Sequence, residues 1–410
     1  MGLIPGDRVA CTVGTTELSG TYITDRDGMH VVKLDSGYNI GVDPRRVILL
    51  ERGRPAEQPD MDVVQDPSLP ELAIISTGGT IASRIDYRTG AVTSQFTAAD
   101  ILRAIPGLAE IARFRTHVLA TILSENMTPA LWQEMARAVH DVIAEGVAGV
   151  IVTHGTDTMS YSAAALAFML QSPVPVVFVG SQRSADRPSS DNVMNGICAA
   201  AAAVSELGEV TVVMHGTPSD DRCAIHRATR VRKLHTSRRD AFRSVESAPI
   251  GYVDYPSRTV SLADEAVRRG TRPLSLDDRL EPECGLLQFY PGMDPALIDV
   301  FSGYAGLVVA GTGLGHVSTA CIERLGALVD AGTTVVMTSQ CLYGRVCDRV
   351  YDTGRDLLAA GVIEGATMLP EVALVKLMCV LGRTRNRHEV VRLMQADMAG
   401  EILGRTPHGL

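Results

Sequence analysis

From residue 72 onward, six short runs are apolar almost throughout: 72–76, 149–153, 174–180, 209–214, 306–310 and 334–339. A strand with one wet face alternates polar and apolar residues, whereas a strand covered on both faces need not. Such runs, separated by helix-forming segments, select an α/β fold with helices on both sides of a parallel sheet. Two of the helices are marked. In the first, Thr128 is placed to cap the amide end, Pro129 suits the opening position, and Leu131, Trp132, Met135, Val139, Val142 and Ile143 form one apolar stripe. The second is the alanine-rich stretch 198–204, small enough to pack closely on a sheet. At 410 residues the chain exceeds one modest core, so more than one domain is expected.

Residues 6–50 follow another pattern. Short β-type runs at 9–13, 21–24, 29–34, 38–42 and 47–50 are punctuated by Gly14, Asp27-Gly28, Asp35-Ser36-Gly37 and Asp43-Pro44, which predicts a small antiparallel, SH3-like barrel. The stretch 51–71, with Pro55, Pro59, Pro67 and Pro70 among charges, has a linker's composition. A second break falls at 263–282, rich in charge and containing Gly270, Pro273 and Pro282. The expected order is therefore a barrel over 1–50, a linker over 51–71, an α/β domain over 72–262, a linker over 263–282 and a smaller α/β domain over 283–410.

A composition that is 46% hydrophobic and 21% charged is that of a folded globular protein. The net charge of -9 argues against indiscriminate nucleic-acid binding but leaves room for a local basic patch. No apolar run approaches the ~18 residues that span a bilayer, and residues 1–8 lack a basic-then-apolar leader. No membrane partner is expected, and the expected location is cytoplasmic. The eight cysteines are scattered without a Cys-x-x-Cys pair, so they are expected to be small buried hydrophobes, and no metal is assigned.

Two strand ends deliver threonines through glycine turns. The run 72–76 enters Thr77-Gly-Gly-Thr80, and the run 149–153 enters His154-Gly-Thr-Asp-Thr158 ahead of a helix from Met159. Residues beyond the carboxyl ends of strands face the crevice where open α/β sheets bind ligands. Gly78 and Gly79 let the chain turn so that Thr80 can project there. Asp157 has two readings, a carboxylate in the crevice and an N-cap for the next helix. A threonine hydroxyl is a weak nucleophile and needs a proton acceptor. The run 227–244 offers Lys233, set among arginines that would lower its proton affinity. The competing reading makes Arg227, Arg230, Arg232, Arg238, Arg239 and Arg243 a surface patch for an anion or RNA, and charge taken alone favours it. Ser124 and Glu125 follow a β-like run at 118–123, and Tyr87 lies in the polar loop 86–90; each is either a lining residue or ordinary loop polarity. His154, His226 and His235 lack metal-ligand spacing. Gly311-Thr-Gly-Leu-Gly315 follows a strand but lacks the full dinucleotide fingerprint, so NAD is not expected.

Thr77-Gly-Gly-Thr-Ile-Ala-Ser83 together with His154-Gly-Thr-Asp-Thr-Met159 resembles the paired signature of the bacterial-type L-asparaginase family. The resemblance continues through Val179-Gly-Ser-Gln182, Lys233, Ala310-Gly-Thr-Gly-Leu-Gly-His316 and Leu369-Pro-Glu-Val372, and covers about residues 70–410. It implies an asparaginase-like two-domain fold in which Thr80 attacks a side-chain amide, helped by Tyr87. Thr156, Asp157 and Lys233 would then form a second cluster that polarises water or relays protons. It further implies that Ser124 and Asp157, with Glu125 beside them, hold the charged end of the substrate, and that Glu371 reaches toward a neighbouring site in a homodimer. The N-terminal barrel, the proline-containing linker and the basic segment 230–242 are similar to the GatD family, the amide-hydrolysing component of archaeal glutamyl-tRNA(Gln) amidotransferases. This implies release of ammonia from asparagine or glutamine to a partner, GatE, within a heterotetramer. The partner would use ATP and magnesium to convert Glu-tRNA(Gln) to Gln-tRNA(Gln); no cofactor is implied in this chain. The alternatives are a free-standing cytoplasmic L-asparaginase and, in another class, an RNA-binding scaffold on an asparaginase fold. Glu125 departs from the asparaginase pattern, which commonly carries an amide there, so the resemblance does not set the choice between asparagine and glutamine.

Overall fold

The computed structural model describes residues 2–26, 28–35, 39–53, 65–78, 84–85, 92–93, 98–183 and 189–405. Near the start, Arg8–Val13, Thr16–Arg26, Met29–Leu34, Asn39–Val42 and Val47–Glu51 form a five-stranded antiparallel sheet. Val9, Cys11, Tyr22, Val32 and Val42 meet in a core of their own, so the sheet is wrapped around its inward side chains. In the described ladder Asn39–Val42 and Val47–Glu51 stand at the two edges.

The large sheet has eight strands, in the order Val260–Leu262, Gly251–Asp254, Arg222–Arg227, Val210–His215, Val176–Val179, Gly149–Thr153, Glu71–Gly78 and Arg113–Ile122. The five from Val210–His215 to Arg113–Ile122 are parallel, and all but the half-exposed edge strand Arg113–Ile122 are apolar runs buried almost throughout. The other three extend the sheet antiparallel. The helix Pro129–Ala144 starts where Thr128 Oγ1 accepts the Leu131 amide at 3.3 Å, and buries Trp132, Met135, Ala136, Val139 and Ile143. Asn192–Ala203 lies close on the sheet because its facing side chains are methyls; a Cβ at Gly149 would stand 2.1 Å from the Ala203 carbonyl oxygen.

Cys284–Gln288, Gly306–Gly311, Thr334–Ser339 and Ile363–Glu364 make a second, four-stranded parallel sheet. The helix Pro370–Arg383 packs both on this sheet and on the helix Met159–Met169. One apolar core therefore runs from Ile75 and Val152 through Met159 and Leu166 to Leu377 and Val380, and fixes the two sheets relative to each other. Six cysteines are buried as expected, but Cys341 is exposed and Cys347 half-buried. Among the described residues no helix is long and apolar enough to cross a membrane.

Candidate active site

Glu71–Gly78 and Gly149–Thr153 are neighbouring parallel strands with Ser76 opposite Thr153. Their ends are tied together: Thr153 Oγ1 donates to Ser76 Oγ at 3.1 Å, and Thr77 Oγ1 donates to the Thr153 carbonyl at 3.0 Å. Thr77 is thus a buried brace between the strands. Gly78 takes φ +100° against Ile122, whose carbonyl oxygen would stand 2.7 Å from a Cβ there, so only glycine fits the turn. Thr80 and Tyr87 lie outside the described residues.

At the second strand end, Lys233 Nζ donates to Thr156 Oγ1 at 2.9 Å and to Asp157 Oδ1 at 2.8 Å. The lysine side chain is 12% exposed and that of Asp157 69%, so the ammonium is held beneath an open carboxylate. Lys233 arrives on a hairpin, Val231–Lys233 paired with Phe242–Ser244. Its polar neighbours are the turn's hydroxyl and carboxylate, not the arginines expected to crowd it.

Asp157 does not cap the helix Met159–Met169, because its carboxylate is engaged by Lys233. The cap position is Thr158, whose hydroxyl donates instead to the Ser124 carbonyl at 2.7 Å. Ser124 is buried directly against Gly155, where a Cβ would stand 2.7 Å from its own, and Glu125 is exposed. Gly180 closes the other side of the turn: a Cβ there would lie 2.7 Å from the His154 carbonyl oxygen and 2.9 Å from Thr156 Cγ2. Burial pulls His154 down to about 4, partly opposed by its bond to the Gly155 carbonyl, so the ring is neutral and structural.

The arginines of the basic run are each buried or paired with a carboxylate rather than standing as free cations. Arg230 is buried, with Glu246 3.7 Å away. Arg227 pairs with Glu209 at 2.9 Å, Arg232 with Glu371 at 3.3 Å and Arg239 with Asp220 at 2.5 Å. Arg238 and Arg243 converge on Asp240, and Arg238, with Arg243 behind it, holds that carboxyl down at about 2. All six cations face carboxylates of the same chain, while Arg232, Arg238 and Arg243 keep part of their side chains exposed. Glu371 is buried in the first turn of Pro370–Arg383, beside Arg232 and Tyr161 of its own chain. Burial raises its carboxyl, and Arg232 offsets part of that rise.

One supporting group was passed over in the sequence. Asp191 accepts Ser181 Oγ at 2.7 Å, the Gln182 amide at 3.0 Å and Asn195 Nδ2 at 2.9 Å, and Asn195 Oδ1 meets His215 Nδ1 at 2.6 Å. This buried chain anchors the turn that lies beside Thr156 through Gly180. Its signal was Asp191, Asn192 and Asn195, three polar residues at the start of an otherwise apolar helix.

A model of the asparaginase N-terminal domain matches residues 71–268, one of the glutaminase/asparaginase C-terminal domain matches 284–394, and one of the GatD N-terminal domain matches 3–51. The Methanosarcina barkeri protein named as the D-type subunit of glutamyl-tRNA(Gln) amidotransferase is 54% identical over 413 residues, covering 97% of each chain. The chain belongs to the GatD family of glutamyl-tRNA(Gln) amidotransferases. The Halobacterium salinarum protein of the same name is likewise 54% identical, again over 97% of each chain. The solved thermostable L-asparaginase of Thermococcus kodakarensis is 32% identical with a TM-score of 0.73, and the match covers 82% of this chain and 100% of that one. This GatD family member is an asparaginase-like amidohydrolase.

Proposed function

We propose that this GatD family member is the ammonia-generating component of a cytoplasmic, tRNA-dependent amidotransferase. Thr80, assisted by Tyr87, attacks the side-chain amide carbon of asparagine or glutamine; the C–N bond breaks, ammonia leaves, and an ester to Thr80 remains. Water, oriented by Thr156 with Lys233 and Asp157 arranging the proton transfer, cleaves the ester and frees the acidic amino acid. Ser124 and Asp157, with Glu125 at the rim, hold the substrate's charged end. The ammonia passes to a partner, GatE, which uses ATP and magnesium to convert Glu-tRNA(Gln) to Gln-tRNA(Gln); two copies of each chain make a heterotetramer. No cofactor is assigned to this chain.

The observation that carries the chemical half is the contact of Lys233 with Thr156 and Asp157, at the end of a strand paired in register with the one that leads to Thr80. The names of its relatives support the tRNA-dependent half. Likeness to a free-standing L-asparaginase supports a second reading, in which ammonia is simply released. The test is ammonia release from asparagine and glutamine by the wild type, Thr80→Ala and Lys233→Ala, each with a melting curve. Both variants are expected to stay folded and to lose at least about a thousandfold in kcat. Wild-type-like release by either one removes the role given to that residue.

A further inference from the structure

Two arginines of the basic run, Arg230 just before it and Arg232 within it, accompany the strand that carries Lys233. Adjacent residues of a strand point to opposite faces. In Val231–Lys233 this sends Lys233 toward Thr156 and Asp157, and Arg232 the other way, to Glu371. Arg230, two residues earlier, is 1% exposed, and its Nη1 donates to the carbonyls of Thr367 at 2.8 Å and Glu401 at 3.1 Å. Its own carbonyl accepts the Val245 amide at 2.7 Å, closing the base of the hairpin. The partners Thr367, Glu371 and Glu401 all come from the last part of the chain.

That part is itself pinned. Lys376 Nζ lies 2.6 Å from Glu401 Oε1, both side chains 0% exposed, and donates to the carbonyls of Met394 at 3.0 Å and Ala396 at 2.5 Å. The Glu401 carboxylate accepts the amides of Met398 and Ala399, and Thr229 Oγ1 donates to the Ala399 carbonyl at 2.8 Å. Residues 396–401 thus form a strap clamped to the base of the hairpin.

The hairpin needs such support. Its ladder is three residues long and forms a two-stranded sheet separate from the large one. Ribbons of that size are marginal by themselves. A lysine on a flexible stem keeps its ammonium on two chosen oxygens only if its backbone is fixed. A completely buried arginine is also an inefficient way to stabilise a fold, since apolar packing of the same volume does as well, whereas its rigid fork of donors fixes direction.

We infer that Arg230 and Arg232 are positioning residues for Lys233, and that the strap 396–401 and Glu371 set the geometry of the amide-hydrolysing site from the far end of the chain. This rests on the reading that gives Lys233 a part in catalysis. The test measures kcat, KM, the pH profile of kcat and the melting temperature for ammonia release by the full chain and four variants. Arg232→Met, which cuts a partly exposed pair, is expected to melt near the wild type while kcat falls at least about tenfold, KM changes by less than about twofold and the pH profile shifts. Arg232→Lys, which can still reach Glu371, recovers most of kcat. Thr229→Val, which removes one tie between strap and hairpin and leaves Arg230 in place, lowers kcat by about threefold. A kcat per folded molecule unchanged in Arg232→Met, whether or not its melting temperature drops, overturns the inference, provided Lys233→Ala is inactive. Full activity of Lys233→Ala would instead remove the reading beneath it.

Discussion

Gly155→Ala probes how closely the two loops of the site approach. The added Cβ would stand 2.7 Å from Ser124 Cβ and 3.0 Å from Ser124 Oγ. Non-bonded carbons rest at about 3.5–4.0 Å, so the turn and the Ser124 loop must part by roughly 1 Å. Ser124 cannot swing aside: the collision is with its Cβ, which the backbone fixes, and Thr158 holds that backbone through the Ser124 carbonyl at 2.7 Å. Overpacking of this kind costs about 1–3 kcal/mol, which in a chain of this size is a drop of only a few degrees in Tm. Turnover is more sensitive. Thr156 and Asp157 follow immediately, and a displacement of about 1 Å at a catalytic group lowers rate by up to about a hundredfold. Gly155→Ala is therefore expected to fold, melt slightly lower and release ammonia at least about tenfold more slowly. Adding Ser124→Gly, which deletes the colliding carbon, restores the melting temperature. Wild-type melting and turnover by Gly155→Ala would refute the packing argument.

Three further outcomes follow from the buried groups. Trp132 Nε1 donates to Ser162 Oγ at 2.9 Å in the core, so Trp132→Phe orphans that hydroxyl and lowers the unfolding free energy by about 1–3 kcal/mol; it is the chain's one tryptophan, so urea unfolding is followed by circular dichroism. Lys376→Met strands the buried Glu401 carboxylate and costs about 3–5 kcal/mol, of which Glu401→Gln in the same chain recovers part; a strictly additive double variant would contradict the pairing. Burial holds His154 at about 4 and His226 at about 3, below the ordinary 6.5. With the folded values depressed, the unfolded chain takes up protons first, so this stability is complete above pH 6.5 and is lost as pH falls through the folded values. The loss is about 1.4 kcal/mol per pH unit for each histidine. Denaturant midpoints must fall between about pH 6.5 and 4, His226→Gln must flatten the slope, and midpoints indifferent to pH would contradict it.

Four of the five parallel strands of the large sheet were legible because burial on both faces leaves apolar runs such as 149–153, and Thr128-Pro129 announced its helix by chemistry local to the chain. The antiparallel strand Arg222–Arg227 was not, because it begins and ends in arginine and its polar ends mask the buried Cys223, Ala224 and Ile225. At the site, the glycine turns were visible in the local pattern, whereas the grouping of Asp157 with Lys233 came only from the family resemblance. Local pattern favours a helix cap there, while the actual partner, Lys233, comes from a distant hairpin. The pairing of the basic run was hidden for the same reason. Whether an arginine is solvated or buried depends on the carboxylates it meets, and Glu209, Asp220, Asp240, Glu246 and Glu371 are brought to it only by the fold.

The most direct measurement supplies asparagine or glutamine carrying heavy nitrogen in the side-chain amide as the sole nitrogen donor. The purified chain, its GatE partner, ATP, magnesium and Glu-tRNA(Gln) are combined, and the heavy nitrogen is sought in Gln-tRNA(Gln). The account predicts labelled product from the wild type and none from Thr80→Ala until ammonium is added. Ammonia release without any Gln-tRNA(Gln), in a mixture that forms it from added ammonium, would contradict the account and leave a free-standing asparaginase.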